Sequence, residues 1–282
     1  MKDFLFISFQ YIVPQHLLTR FVGKLASSQS VSLKNFLIKN FIAKFNVDMS
    51  EAAQEDYKEF SCFNDFFIRE LKSGARAIES NPKILACPAD GAVSQAQAIE
   101  SGRIYQAKNH SYTTEELLGG QIEEASAFEN GHFTTIYLSP KDYHRVHMPI
   151  DGTLKSVTYV PGQLFSVNPT TTENVPRLFS RNERAVFLFD TELGPMALIM
   201  VGAMIVASVE TEWAGLIAPC SGKQINTSVE HAGLDFKKGE ELGRFKLGST
   251  VVMCFTENSL QWQKQFSPGQ SVQMGEGIAD LL

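Results

Sequence analysis

Gly248-Ser249-Thr250 stands immediately before the apolar run Val251-Val252-Met253-Cys254-Phe255. Read for structure, the tripeptide is a turn entering a strand, because Gly and Ser favour turns and β-branched residues favour extended chain. Read for chemistry, Gly248 lets the backbone adopt a strained geometry in which the Ser249 hydroxyl can attack the carbonyl of its own preceding residue. That hydroxyl needs a base. Two of the six histidines, His144 and His147, lie three apart in Tyr143-His144-Arg145-Val146-His147-Met148-Pro149. No HExxH or HxH pattern and no adjacent Cys accompanies them, so a metal site is not expected, and a core or surface histidine is the commoner alternative. A third candidate is Asp90 in Pro88-Ala89-Asp90-Gly91, a sequence that by itself describes a turn aspartate.

These residues need a scaffold, and its texture changes along the chain. From about residue 84 onward, short alternating or β-branched runs such as 133–138, 154–160 and 185–189 are separated by Gly, Pro and Asn, which predicts a β-rich body. The stretch between Glu192 and Glu210 is uncharged, but its glycines, proline and β-branched residues predict buried strand rather than a spanning helix. A Pro-x-x-Gly turn recurs at 88–91, 149–152 and 219–222, each before an expected strand. Before the body, Leu17, Phe21 and Leu25, then Leu33, Leu37, Phe41 and Phe45, fall at four-residue spacing among Arg20, Lys24, Lys34, Lys39 and Lys44, which predicts amphipathic helices. A further interrupted helix is expected after Asp48 and Ser50, running through a core-forming cluster of Phe60, Phe63, Phe66 and Phe67. The expected architecture is α+β: amphipathic N-terminal helices over 1–45, then a sandwich-like catalytic body over 46–282.

Charge is divided in the same way. The chain carries −6 overall, but residues 1–45 hold six basic residues and one acid, leaving −11 on the remainder. An acidic body argues against general nucleic-acid binding, and a basic, apolar head suits an anionic membrane surface, at roughly 1 kcal/mol per Lys or Arg. Lys2 followed by the apolar run from Phe4 to Val13 has the look of a short leader, but no A-x-A-like site follows it. Cys62, Cys87, Cys220 and Cys254 form no CxxC pair and are expected as free thiols in a reducing cytoplasm.

Taken together and in order, PADG at 88–91, YLSPKDYHRVHMP at 137–149, YVPGQLFSVN at 159–168, SRNER at 180–184, VGAMIVASVET at 201–211 and GRFKLGST at 243–250 resemble the bacterial, pyruvoyl-dependent phosphatidylserine decarboxylase family. The likeness is weaker over 223–238. It implies a self-processing triad of Asp90, His147 and Ser249, in which the carboxylate fixes the imidazole tautomer and the imidazole takes the hydroxyl proton. Attack on Gly248 would shift the acyl group from N to O. Elimination and hydrolysis would then release ammonia, leave a pyruvoyl group at 249, and divide the chain into 1–248 (β) and 249–282 (α). The resemblance further implies that this group forms a Schiff base with the amine of phosphatidylserine and accepts the electrons that CO₂ leaves behind. His144 becomes the candidate proton donor and headgroup contact, and Ser166 with the Val167 amide the candidates for the phosphate.

The implied setting is peripheral, on the cytoplasmic face of the cell membrane, with association of the protein's own two chains and a homodimer left open. Two other readings compete. A Ser-His-Asp lipid hydrolase could use the same residue types, though the chain lacks a G-x-S-x-G elbow. A noncatalytic β-rich binding module would leave Asp90, His147 and Ser249 structural.

Overall fold

The computed structural model describes residues 2–107, 110–205, 208–218, 224–246 and 250–282. Gly248, Ser249, Cys220 and the turn expected at 219–222 lie outside the described residues.

Side-chain alternation explains the centre of the molecule. In the strand Thr250–Phe255, Val251, Met253 and Phe255 enter one core, while Val252 and Cys254 enter another. The neighbouring strand Gly194–Val201 divides Met196, Leu198 and Met200 from Ala197, Ile199 and Val201 in the same way. A period of two with both faces covered makes such strands read as unbroken apolar runs. The uncharged stretch does not form one strand: it ends at Val201 and resumes at Ser208.

Thr250–Phe255 lies between Gly194–Val201 and His132–Tyr137 in a nine-stranded antiparallel sheet. One face of this sheet packs on a four-stranded sheet made by Arg145–His147, Ser208–Thr211, Gly215–Ala218 and Glu241–Lys246, through a core that includes Val146, Val209, Leu242 and Phe245. The other face is covered by short helices and the hairpin Arg103–Ala107/His110–Thr113, through Leu117, Phe128, Phe165 and Phe179. The fold is therefore α+β with a β-rich sandwich. Residues 247–249 join the end of a strand in the smaller sheet, Lys246, to the start of the central strand, Thr250. The expected turns at 88–91 and 149–152 lead into the strands Gly91–Ala98 and Gly152–Val160.

Three helices precede the body: α1 (Lys2–Ile12), α2 (Gln15–Ala26) and α3 (Val31–Phe45). The leader-like run is thus helical, and Pro14 separates it from α2, as a residue without an N–H does readily at a helix start. The two predicted stripes have different fates. Leu37, Phe41 and Phe45 of α3 pack against Phe63, Phe66 and Phe67, whereas Leu17 and Phe21 of α2 stay 67% and 62% exposed. The helix expected after Asp48 does not form there. Instead the Asp48 carboxylate accepts from the Ser50 N–H at 2.8 Å, a local turn that competes with helix, and only a 3₁₀ turn at Tyr57–Glu59 and a short α4 (Phe63–Phe67) follow. Among the described residues no helix is long and apolar enough to cross a membrane, and Cys62, Cys87 and Cys254 are free and buried.

Candidate functional site

Asp90 is fixed by backbone geometry. Its turn precedes Gly91, where a Cβ would collide with the Tyr137 carbonyl, so only glycine lets the turn lie against the strand His132–Tyr137. The Pro88 carbonyl accepts from the His147 N–H at 2.8 Å, tying this turn to the strand Arg145–His147. Both carboxylate oxygens of Asp90 are engaged. Arg76 grips them through Nε (3.0 Å) and Nη2 (2.5 Å), and the Met274 N–H donates to Oδ1 at 2.8 Å. Arg76 also pairs with Glu51 at 2.8 Å; these two carboxylates, Asp90 chiefly, hold its guanidinium pKa above the ordinary value.

His147 is buried and makes two ring contacts, neither of them to Asp90. Nδ1 lies 2.9 Å from the Gly239 carbonyl and Nε2 lies 3.1 Å from the Tyr143 hydroxyl. A carbonyl can only accept, so Nδ1 carries the proton and the Nε2 lone pair accepts from Tyr143. The tautomer expected to be set by the carboxylate is set instead by Gly239, because Arg76 and Met274 already occupy Asp90. Burial lowers the His147 pKa, and the nearby Arg145 works in the same direction. The product is a neutral imidazole with its basic nitrogen toward Tyr143. Tyr143, Arg145, His147, Arg76, Glu241 and Met274 line a cleft of 360 Å³.

His144 faces a different environment. It is 1% exposed, its ring stacks on Phe67 at a centroid distance of 4.0 Å, and neither nitrogen has a hydrogen-bond partner of normal geometry. Desolvation first, then the charge of Arg69, pushes its pKa down to about 3, even though the Pro140 and Ser139 carbonyls oppose this. His144 is therefore neutral across the physiological range. Its carbonyl accepts from the Phe245 N–H at 3.0 Å, which places it beside the chain leading into 247–249. Thr250, on the far side of that segment, also has a buried hydroxyl without a partner. Arg69 is a third such group: Nη2 donates to the Lys141 carbonyl, but Nε and Nη1 are buried and unpartnered.

Ser166 and Val167 do not share the cleft of His147. Val167 lines a separate cavity of 670 Å³ with Tyr137, Gln95 and Asn168. The N–H and hydroxyl of Ser166 both donate to Oε1 of Gln10, at 2.8 and 2.9 Å, so α1 reaches into the segment expected to meet phosphate. The sequence reasoning missed Arg76, Tyr143, Gly239, Arg69 and Gln10. Only Tyr143 carried a local signal, since it belongs to the same motif as the histidines; the others are brought in from distant segments.

Residues 63–280 match the family model described as phosphatidylserine decarboxylase, and residues 5–46 match a second described as PSD. Similar curated proteins named phosphatidylserine decarboxylase proenzyme come from Ectopseudomonas mendocina (55% identical, covering 98% of either chain) and Hahella chejuensis (53%, covering 99% of this chain and 95% of the relative). A third, from Marinobacter nauticus, is 53% identical and covers 100% of this chain and 99% of its own.

Proposed function

The chain belongs to the phosphatidylserine decarboxylase family, and from that premise we propose that it converts phosphatidylserine to phosphatidylethanolamine, peripherally on the cytoplasmic face of the membrane, after cutting itself between Gly248 and Ser249. The observation that carries the reading is the buried, neutral His147 with its basic Nε2 aimed away from a tautomer-fixing carbonyl. In the proposed cut, Nε2 takes the Ser249 hydroxyl proton and the oxygen attacks the Gly248 carbonyl carbon. Asp90 acts on this base through the backbone link between Pro88 and His147 and through its charge, rather than as a hydrogen-bonded partner. Tyr143 moves off Nε2 when the hydroxyl arrives, and can return a proton as the cut resolves.

The pyruvoyl group expected from Ser249 would supply one thing, an electrophilic carbonyl for the substrate amine that serves as a sink for the electron pair released with CO₂. The residues that would meet such a group carry buried polar atoms without partners and belong to the described chain on either side of 247–249: Thr250 through its hydroxyl, and His144, whose carbonyl is bonded to Phe245, through its ring. His144, neutral at rest, gains proton affinity when an anionic headgroup enters, because a nearby negative charge raises an imidazole pKa. It can then carry the proton required at the carbon that loses CO₂. Ser166 and the Val167 amide would donate to the phosphate, one phosphate oxygen taking the position that Gln10 Oε1 holds now.

Intact mass spectrometry tests the reading. The expected result is two chains, 1–248 and 249–282, the second blocked at its N-terminus, with CO₂ released from phosphatidylserine vesicles. Ser249→Ala should give one uncut chain and no CO₂. Decarboxylation by an uncut chain would overturn the assignment.

A further inference from the structure

Between the head and the body lies an apolar groove of 330 Å³, lined by Val22, Leu25, Leu37, Phe41, Phe63 and Ile205, with Asn40 and Lys44 also at its wall. We propose that this groove holds one acyl chain of the phosphatidylserine molecule undergoing reaction; the inference rests on the decarboxylase reading and extends it to the substrate's lipid tail.

Three observations converge on that occupant. First, the groove leads to the candidate site from two sides. Phe63 in its floor is 6.1 Å from Phe67, ring centroid to ring centroid, and Phe67 stacks on His144 at 4.0 Å. On the other wall, Ile205 follows Met204, whose N–H donates to the Phe165 carbonyl beside Ser166. The groove is thus joined to His144 through two successive ring contacts, and to the segment of Ser166 through one backbone hydrogen bond. Second, Ile205 has φ +72°, a conformation that β-branched residues rarely adopt and that persists only where the surroundings impose it. Its N–H donates to Thr19 of α2 at 3.1 Å, so the head itself holds this side chain at the groove. Third, the rim matches a phospholipid. Lys44 is exposed, with its ammonium 5.3 Å from the Phe45 ring centroid, and the groove opens beside the exposed Phe21 and Leu25 of α2. Polar rim and apolar floor are the two halves of a lipid near its phosphate.

The physical reason for such a groove is that a headgroup must rise out of the bilayer to reach His144. The methylenes drawn up with it would meet water unless protein covers them, and each uncovered methylene disfavours the bound state by about fourfold. The volume falls within the range of about 300–1,000 Å³ usual for ligand pockets.

The test uses the full-length protein on vesicles containing phosphatidylserine with a diazirine in one acyl chain, and in a parallel arm the same chain on phosphatidylcholine. Photolysis followed by peptide mapping should label the residues around Val22, Leu37 and Phe63 from the serine lipid at least tenfold more than from the choline lipid. Equal labelling from both lipids would mean that the groove is ordinary bilayer contact, and labelling confined to α1 would place the chain elsewhere; either result overturns the proposal. Val22→Trp, which narrows the groove, should lower the preference for long-chain over dihexanoyl phosphatidylserine about tenfold, roughly what two buried methylenes supply; an unchanged ratio in a variant with parental melting temperature would also overturn it. CO₂ release is measured separately in each arm. Selective labelling without any CO₂ would sink the decarboxylase reading while leaving the groove assignment standing.

Discussion

At the scale of residues, the base proposed for the cut is prepared by what surrounds it. The Gly239 carbonyl orients His147 from one side and burial keeps it neutral, so the group needs no carboxylate on its ring. A lowered pKa means that Nε2 remains unprotonated below the ordinary histidine value of about 6.5. Self-cutting, followed by gel densitometry on freshly refolded proenzyme, should therefore reach half its maximal rate at a pH below 6.5. The stability consequence has the same sign: a depressed folded pKa contributes stability that is present above the unfolded value and lost as pH falls below it. Arg76 makes a separate prediction. Arg76→Met leaves Asp90 as an uncompensated buried charge, so it should cost about 3–5 kcal/mol in denaturant unfolding and slow the cut with it. His147→Ala should abolish the cut with a much smaller loss of stability. Parallel losses in the two variants would show that His147 matters to packing alone. Asp90, His147 and Ser249 were readable in the sequence as candidates because each sits in a compact motif. Their pairing was not, because Arg76 and Gly239 come from segments 14 and 92 residues away from the groups they hold.

At the scale of elements, the head was legible as helix and only half legible in its orientation. Four-residue spacing identifies an apolar stripe but not what covers it. The α3 stripe is covered by the phenylalanines of α4 and the α2 stripe is not, and nothing in the spacing distinguishes the two. Lysines divide in a similar way. Lys34 is buried, its ammonium donating to the Lys58 carbonyl at 2.5 Å and to Asn35 at 3.1 Å, while Arg20, Lys24, Lys39 and Lys44 are exposed. Changing those four exposed residues to Gln should weaken co-sedimentation with anionic vesicles at least tenfold at low salt, and added salt should weaken the parent toward the variant. Lys34→Gln should leave vesicle binding within about twofold and lower the melting temperature instead. If the fourfold variant still co-sediments like the parent, the proposed electrostatic docking is wrong. The helix expected after Asp48 failed for a local reason, since an aspartate that caps a helix in one context closes a turn on its own backbone in another.

At the scale of the whole molecule, α+β class and strand-rich body were readable from period-two alternation and turn residues, whereas sheet order was not, because neighbours in a sheet are chosen by the packing of two cores. The junction of head and body carries one further measurable feature. Glu183 is buried and its pKa is raised to about 7 by desolvation, despite a hydrogen bond with Tyr159 and the nearby charge of Arg20; His16 of α2 approaches it at 3.9 Å. A carboxyl with a raised folded pKa contributes stability below its unfolded value and loses it as pH rises through 7. Glu183→Gln should remove that loss, raising stability at pH 8 relative to pH 6 by about 1 kcal/mol in thermal or denaturant melts. An unchanged pH dependence would show that Glu183 is already ionised in the fold.

The position of Thr250–Phe255, hydrogen-bonded along both edges inside the larger sheet, makes the proposed cut at 248 a one-way event in the life of the molecule. Before it, refolding is a unimolecular search by one chain. Afterwards the same architecture has to be rebuilt by two polypeptides that must first meet, and the shorter one is a 34-residue piece with no complete sheet of its own. Recovery from denaturant should accordingly fall on dilution for processed protein and be independent of concentration for Ser249→Ala. Processed enzyme that unfolds in a cell is in effect lost, so its working lifetime is set by how slowly it opens rather than by how readily it folds.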